Sequence, residues 1–503
     1  MLLWYNLFMA SHEELKAVRL QKKELLISKG INVYPSDSQR THEIQSIINE
    51  FETLSETKEV CVINGRITSK RGQGAILFVD IFDGTNKIQV VFKKDNPISY
   101  LGNTFIEEVF ELFKEAADAG DFIEVSGIAF VTKSGQQSIE VAGWRMLSKS
   151  LLPLPDSWFG LKDEDERYRK RYVDMALNED LREMIKRRSK FWNTIRSFLL
   201  EKDFIEVETP VLETTTGGAD ARPFITHHNA LDIDVFLRIS AGELWQKRLL
   251  VGGLPKVFEI GRIFRNEGMS AEHAQDYTQL EFYQAYSDFN KGMEMVKKLY
   301  IQIAQNVYGK TEFENKGIKF NLTDDWTIYH FSNIIKDTYG VDVHNTNVEE
   351  IAQKLNEAQI KYDKASLSIE RGVDLLWKKI RKELQGPGFL IGIPVYLETL
   401  AKKSQEDNRV VERFQIILAG SEVGKGFSEL NDPVDQKERF SKQQALRDAG
   451  DEEAQMADMD YVEALEYGMP PAFGFGTSER LFSFLEGKTV RESQIFPLMR
   501  PLD

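Results

Sequence analysis

The chain reads as an α+β protein in which a small domain of five short strands precedes a large domain where strands and helices alternate. Three observations carry this. At 503 residues it is long enough for roughly two to four domains of about 100 to 200 residues each. Its 42% apolar and 28% charged content is ordinary for globular protein and excludes wholesale disorder or a collagen-like chain. The hydrophobic period also changes along the chain, from helical, to short alternating runs, to a mixture of both.

Composition bounds the function as well. The 64 basic and 79 acidic residues leave a net charge of −15, which argues against a general nucleic-acid coat or a membrane-surface protein but leaves room for a local basic face. The single cysteine, Cys61, closes no internal disulfide and builds no cysteine-type zinc site, so a cytoplasmic setting is expected and any metal must be held by carboxylates. Residues Met1 to Phe8 are apolar over too short a run for a membrane span and lack a basic n-region. With Met9-Ala10-Ser11 following, they read as an upstream start codon or a flexible tail.

Residues 1–58 form an N-terminal helical segment. From Ser11 to Gly30 the residues Leu15, Val18, Leu20, Leu25 and Leu26 recur at helical spacing, with Ser11 as cap and Gly30 as stop. Lys16, Arg19, Lys22 and Lys23 on this helix either face RNA or belong to a solvated face packed on the next domain. Residues 59–152 carry five strands separated by turns, with one helical stretch near Phe105 to Ala117, which is the order of an OB-fold barrel. Such barrels offer one strand face to single-stranded nucleic acid, and Arg66, Phe78 and Gln89 stand where stacking and base-edge contacts form. A lone strand Phe is more often core, so the barrel alone suggests an RNA reader and no more. Residues 153–180, Pro-rich and then densely charged, read as a linker. Residues 181–503 are one continuous mixed block, large enough to predict an insertion at about 311–388.

Within this block, Phe204 to Leu212 (FIEVETPVL) reads as a helix end running into a strand, with Pro210 at the turn. Gly261 to Tyr286 (GRIFRNEGMSAEHAQDYTQLEFYQAY) reads as a strand, a charged loop and a returning strand, which brings Arg265, Glu267, His273 and Glu281 near one sheet surface. A guanidinium there offers a fork of donors suited to a phosphate. Gly468 to Leu481 (GMPPAFGFGTSERL) is a glycine-rich strand entering a helix near Ser478, where bare backbone lets a nucleotide lie on the sheet within reach of Arg480. Glu243, Glu281 and Glu429 fall in segments that line the same surface, and three carboxylates in one recess raise one another's pKa unless a cation joins them.

These segments resemble the signature set of class II aminoacyl-tRNA synthetases. Thr226 to Gly253, with ISAGELWQKRL, and Gly426 to Asp432 (GFSELND) are similar to the lysyl-tRNA synthetases rather than to their aspartyl and asparaginyl relatives. The resemblance runs from about His12 to Asp503. It implies an α+β protein with an N-terminal OB-fold barrel that reads the anticodon through Arg66, Phe78 and Gln89, a class II catalytic domain on an antiparallel sheet with a helical insertion, and a homodimer. It further implies Gly218 and Glu243 on the substrate α-amino group, Arg265 on its carboxylate and on the α-phosphate, Glu429 with Tyr283 on the side-chain ammonium, and Glu281 supporting that pocket. For ATP it implies Arg265, Glu267, His273, Tyr277, Glu422, Gly476 and Arg480, with Arg265 and Arg480 as the catalytic pair.

The chain departs from the family at several positions. An extra residue precedes Glu243, Lys425 stands where Asn is common, Glu272 where a basic residue is common, and Thr477-Ser478-Glu479 alters the glycine-rich motif. Of the two acidic residues seven apart that hold Mg²⁺ in the family, Glu422 matches the second and Gln415 replaces the first. An amide is the weaker ligand for a hard cation, so Mg²⁺ is expected to arrive mainly with ATP. The implied partners are tRNA(Lys), ATP and L-lysine, without a membrane. Two rivals stand beside this reading: a protein-lysine ligase of related fold, and a non-catalytic OB-type RNA-binding protein.

Overall fold

A computed structural model describes residues 12–72, 74–101, 108–155, 161, 163–219, 221–266, 268, 270, 272–364, 367–450 and 454–502. The apolar residues 1–8, the expected cap Ser11, Phe105 and the candidate ATP ligand Glu267 lie outside them. The chain forms two compact units, one up to Arg167 and one from Tyr168.

In the first unit a helix, His12–Ser28, ends at Gly30, whose φ of +76° suits glycine. Its basic residues are engaged by the barrel: Arg19 Nη2 donates to Ala119 O at 2.8 Å and Nη1 to Ser150 O at 3.1 Å, while Lys22 pairs with Asp118. The packing reading of that helix therefore holds for Arg19 and Lys22. The barrel strands are β1 Val60–Arg71, β2 Ile76–Phe82, β3 Lys87–Lys93, β4 Ser99–Tyr100, β5 Phe122–Val131 and β6 Gln137–Ser148. They pair in the order β3-β2-β1-β5-β6-β4, and parallel pairing of β3 with β6 closes the barrel. Alternate residues point inward, so Cys61, Ile63, Leu77, Val79, Val90, Ile123 and Val125 are buried, and helix Val109–Ala116 adds Phe113, stacked on Phe92 at 3.9 Å.

The second unit is built on an eight-stranded sheet. In spatial order its strands are Thr327–His330, Gly388–Ile391, Arg413–Leu418, Ser421–Ser428, Ala472–Ser478, Asp276–Ala285, Lys256–Phe264 and Ile205–Glu206. The six central strands are antiparallel and each edge strand joins in parallel. Helices Glu179–Leu200 and Phe289–Ile303 cover one face through Phe191, Phe198, Val296, Leu299, Phe282, Phe414, Phe473 and Phe475, each a buried side chain worth about 1.5 to 3 kcal/mol. Their approach is close: a Cβ on Gly292 would lie 2.2 Å from the Phe473 ring. On the other face, Val257, Tyr283 and Phe427 share a core with helix Glu243–Val251 and with helices Phe331–Tyr339, Val348–Glu357 and Ile369–Ile380. The last three lie in segment 311–388, which also carries the hairpin Glu312–Asn315 and Ile318–Asn321. No helix among the described residues is long and apolar enough to cross a membrane.

Candidate active site

The site lies on the second of these sheet faces. In the hairpin of Lys256–Phe264 with Asp276–Ala285, Glu259 pairs with Glu281 and Val257 with Tyr283, so Glu281 and Tyr283, two apart, share that face. The glycine-rich strand runs beside it, with Gly476 opposite Glu281 and Gly474 opposite Tyr283. Gly474 is required by space, since a Cβ there would stand 2.0 Å from Glu429 Oε1 and 2.5 Å from Tyr283 Cε1. Gly476 has ordinary room, with the nearest atom, Glu281 Cγ, at 3.5 Å. Gly218 is held at φ +87° under Ser240 and Glu243, where a Cβ would come within 2.7 Å of Ser240 Oγ.

Three predicted carboxylates converge here, and all are buried: Glu243 is 6%, Glu281 3% and Glu429 1% exposed. Tyr283 Oη donates to Glu281 Oε2 at 3.0 Å, and Ala241 N donates to Glu281 Oε1 at 3.1 Å. Burial, with the Glu243 charge added, pushes the Glu281 carboxyl up to about 8. Glu429 is likewise pushed up to about 8 by burial, against the opposing pull of Lys247. Lys247 is a residue the sequence reading missed. Fully buried on the helix that begins with Glu243, it sets its Nζ 2.8 Å from Glu243 Oε1 and 2.6 Å from Glu429 Oε2. Burial works against its charge, but Glu243 and Glu429 outweigh it and raise the ammonium above its ordinary value. Glu429 Oε1 accepts no hydrogen bond among the described residues. One internal cation thus faces three carboxylates, an arrangement that favours further positive charge.

A second group of residues is cationic. Arg265 Nε donates to Ile239 O at 3.3 Å, and its guanidinium lies 5.9 Å from the Tyr277 ring. Arg480 follows Ser478, which caps helix Glu479–Leu485, and its Nη2 donates to Glu272 Oε2. Glu272 Oε1 also pairs with Lys316 Nζ at 2.8 Å. His273 is exposed and shares a 2.7 Å hydrogen bond with Ser270 Oγ.

On the barrel, Arg66, Phe78 and Gln89 share the outer face of β1, β2 and β3. Arg66 lies 4.4 Å over the Phe122 ring, and Phe78 is half-buried. Gln89 departs from expectation: it is 4% exposed, and Ser138 Oγ, from the strand paired beside it, donates to Gln89 Oε1 at 3.1 Å. Buried and bonded to Ser138, its amide is not open to a base in this conformation.

Residues 163–500 match the family model of tRNA synthetases class II (D, K and N), and residues 61–147 that of the OB-fold nucleic acid binding domain. A lysine–tRNA ligase of Fervidobacterium nodosum is 42% identical over 97% of this chain and 94% of its own length. The chain belongs to the class II tRNA synthetases, in the lysine–tRNA ligase family. Lysine–tRNA ligases of Thermoanaerobacter pseudethanolicus and Thermotoga maritima are 43% and 39% identical, each over 97% of this chain and 96% of their own.

The departures of this synthetase from its family have structural accommodations. Gly242, directly before Glu243, caps its helix at φ +75°, where a Cβ would collide with Thr209. Glu479 in the glycine-rich motif is buried and tied to Arg188 and to Thr278 N, so it anchors the motif to helix Glu179–Leu200. Gln415 Oε1 is occupied by Arg413 Nη2 at 2.6 Å, and Lys425 stands opposite Gln415 in the ladder. Arg413 and Lys425 both pair with buried Glu398, at 3.0 and 3.1 Å, and outweigh its burial to pull it down to about 2. Glu422 Oε1 accepts from Trp377 Nε1 at 2.7 Å. A resident Mg²⁺ does not fit these two positions, since the Gln415 amide oxygen is filled by Arg413, whose charge with that of Lys425 is already met by Glu398, and Glu422 alone keeps a carboxylate there, itself bonded to Trp377. No group of three or more His, Cys, Asp or Glu among the described residues is arranged to hold a metal.

Proposed function

We propose that this chain joins L-lysine to tRNA(Lys) in two steps at the site just described. The lysine carboxylate attacks the α-phosphorus of ATP in line, the bond to the β-phosphate oxygen breaks, and pyrophosphate leaves. The terminal ribose hydroxyl of tRNA then attacks the lysyl-adenylate carbonyl and AMP leaves. Neither step uses a covalent enzyme nucleophile, so catalysis rests on positioning and on charge neutralisation. Gly218 and Glu243 take the α-amino group and Glu429 with Tyr283 the ε-ammonium, while Glu281 holds Tyr283. Arg265 takes the carboxylate and α-phosphate, with Tyr277 beneath it. Arg480 takes the far phosphate, and Glu267, His273, Glu422 and the bare strand at Gly476 complete the nucleotide site. Mg²⁺ enters with ATP as part of the substrate.

The observation that carries this reading is Glu429, 1% exposed with an unpartnered Oε1, standing beside Glu243 in a pocket with an excess of carboxylates. That chemistry suits an amino acid with two ammonium groups and disfavours an aspartate side chain. The barrel, with Arg66 and Phe78 on its outer face, serves the anticodon, which a protein-lysine ligase would not need. Exposed Ile205, Val211, Leu212 and Ile225 around the edge strand supply the apolar surface for a homodimer. The setting we assign is the cytoplasm. Incubation of the purified chain with ATP, Mg²⁺, tRNA(Lys) and radiolabelled amino acids tests the reading: lysine should become acid-precipitable on tRNA, and aspartate and asparagine should not. Transfer to a protein acceptor without transfer to tRNA would overturn it.

A further inference from the structure

The cationic end of the site holds an anion that belongs to the chain. Glu272 divides its carboxylate between two positive groups from different elements: Oε2 takes Arg480, and Oε1 takes Lys316 at 2.8 Å. Lys316 is brought there by a tight turn. It occupies the hairpin between Glu312–Asn315 and Ile318–Asn321 at φ +53°, with Gly317 following at φ +78°. Two successive positive φ values mark the primed hairpin turn, where glycine or asparagine is usual. The lysine side chain is directed at the site, and its Nζ also donates to Ser421 Oγ at 3.0 Å. Arg381, which donates to Gly420 O at 3.0 Å, adds a third positive charge in the field of Glu272. Burial alone would raise the Glu272 carboxyl, but Arg480, Lys316 and Arg381 outweigh it and lower it.

We propose that Glu272 is an internal counter-anion seated where the terminal phosphate of ATP binds, and that Lys316 is a further ligand of that phosphate. This rests on the assignment of Arg480 to the triphosphate. A carboxylate shared between a guanidinium and an ammonium presents two anionic oxygens to the same donors that a phosphoryl group would use. When the phosphate arrives, both donors transfer to it, and Glu272, left beside like charge, swings toward solvent. Glu272 therefore keeps the cations in place between turnovers and weakens ATP binding by competing for them. It is a positioning residue, whereas Lys316 touches substrate.

The test measures ATP dependence in lysine-dependent pyrophosphate exchange, together with calorimetric binding of inorganic tripolyphosphate, for wild type, Glu272→Gln and Lys316→Met. For Glu272→Gln, the KM for ATP should fall at least threefold and tripolyphosphate should bind correspondingly tighter, with the lysine KM unmoved. Lys316→Met should raise the KM for ATP at least fivefold and weaken tripolyphosphate binding. If Glu272→Gln instead lowers kcat and weakens tripolyphosphate, Glu272 is a scaffold for Arg480 and the proposal fails. Unchanged tripolyphosphate binding in both variants overturns it equally. Should wild type show no lysine-dependent exchange, the functional assignment fails, while the tripolyphosphate series still reports on Glu272 and Lys316.

Discussion

Lys247 Nζ lies 2.6 Å from Glu429 Oε2, and neither side chain is exposed. The same ammonium reaches Glu243, so an internal lysine links the two carboxylates assigned to the two ammonium groups of the substrate. It neutralises part of the charge that burial of Glu243, Glu281 and Glu429 concentrates, and leaves enough for a dicationic side-chain and amino-group pair to be attracted.

Protonation of this pocket should set its pH dependence. Glu281 and Glu429 ionise near 8 in the fold against 4.5 ordinarily. The native chain thus keeps protons that the unfolded chain loses, so this pocket costs stability progressively as pH rises from 4.5 toward 8. Lysine binding favours the ionised carboxylates, and protons leave as it binds. The lysine KM should therefore fall between about pH 6 and 8 by about tenfold per unit for each carboxylate that ionises on binding, and flatten above. Calorimetry at about pH 7 in buffers of different ionisation enthalpy should register net proton release, and none would contradict this.

Arg265→Ala should slow adenylate formation by roughly a hundredfold or more, because a preorganised donor to developing charge is worth about 3 to 4 kcal/mol. Pyrophosphate exchange checks this directly. A near-normal rate would remove Arg265 from the reaction.

On the barrel, Phe78→Ala should weaken tRNA charging and leave pyrophosphate exchange nearly intact, since base stacking contributes about 1 to 3 kcal/mol and exchange needs no tRNA. A variant that loses both activities would mark Phe78 as core. Gln89→Ala should affect charging less than Phe78→Ala, because Gln89 is buried and its amide oxygen is bonded to Ser138.

Gln415→Glu should leave the Mg²⁺ midpoint of pyrophosphate exchange flat, because Arg413, already 2.6 Å from the Gln415 amide oxygen, would pair with the new carboxylate. Adding Lys425→Asn removes a competing cation and should lower the midpoint. A Mg²⁺ titration of both variants separates these outcomes, and a lowered midpoint in the single variant would show that Arg413 does not compete.

The barrel strands and the paired strands of the site hairpin were legible in the sequence because alternation along a strand is local: Cys61, Ile63 and Val79 point inward for the same reason that Glu281 and Tyr283 share a face. What escaped depends on distant segments. Lys247, four residues after Glu243, looks like half of a solvated helical pair until Glu429, 182 residues later, is brought against it. Gln89 reads as an outward strand residue, and its burial and its bond to Ser138, 49 residues away, are not visible in the local pattern. Lys316 lies in the segment 311–388, whose polar composition hides the turn that carries it to Glu272, and Arg19 and Lys22 look like an RNA-facing stripe until Ala119 and Asp118 claim them.

The central claim is that Glu429 reads the ε-ammonium of the substrate. Pyrophosphate exchange supported by lysine, compared with norleucine, which keeps the chain length and lacks the ammonium, tests it in wild type and Glu429→Gln. Wild type should prefer lysine by at least about a hundredfold in kcat/KM, and Glu429→Gln should raise the lysine KM at least about tenfold with the KM for ATP little changed, consistent with the about 2 to 5 kcal/mol lost when one partner of a buried charged contact is removed. Equal loss toward lysine, norleucine and ATP in the variant would contradict the account and make Glu429 a structural partner of Lys247.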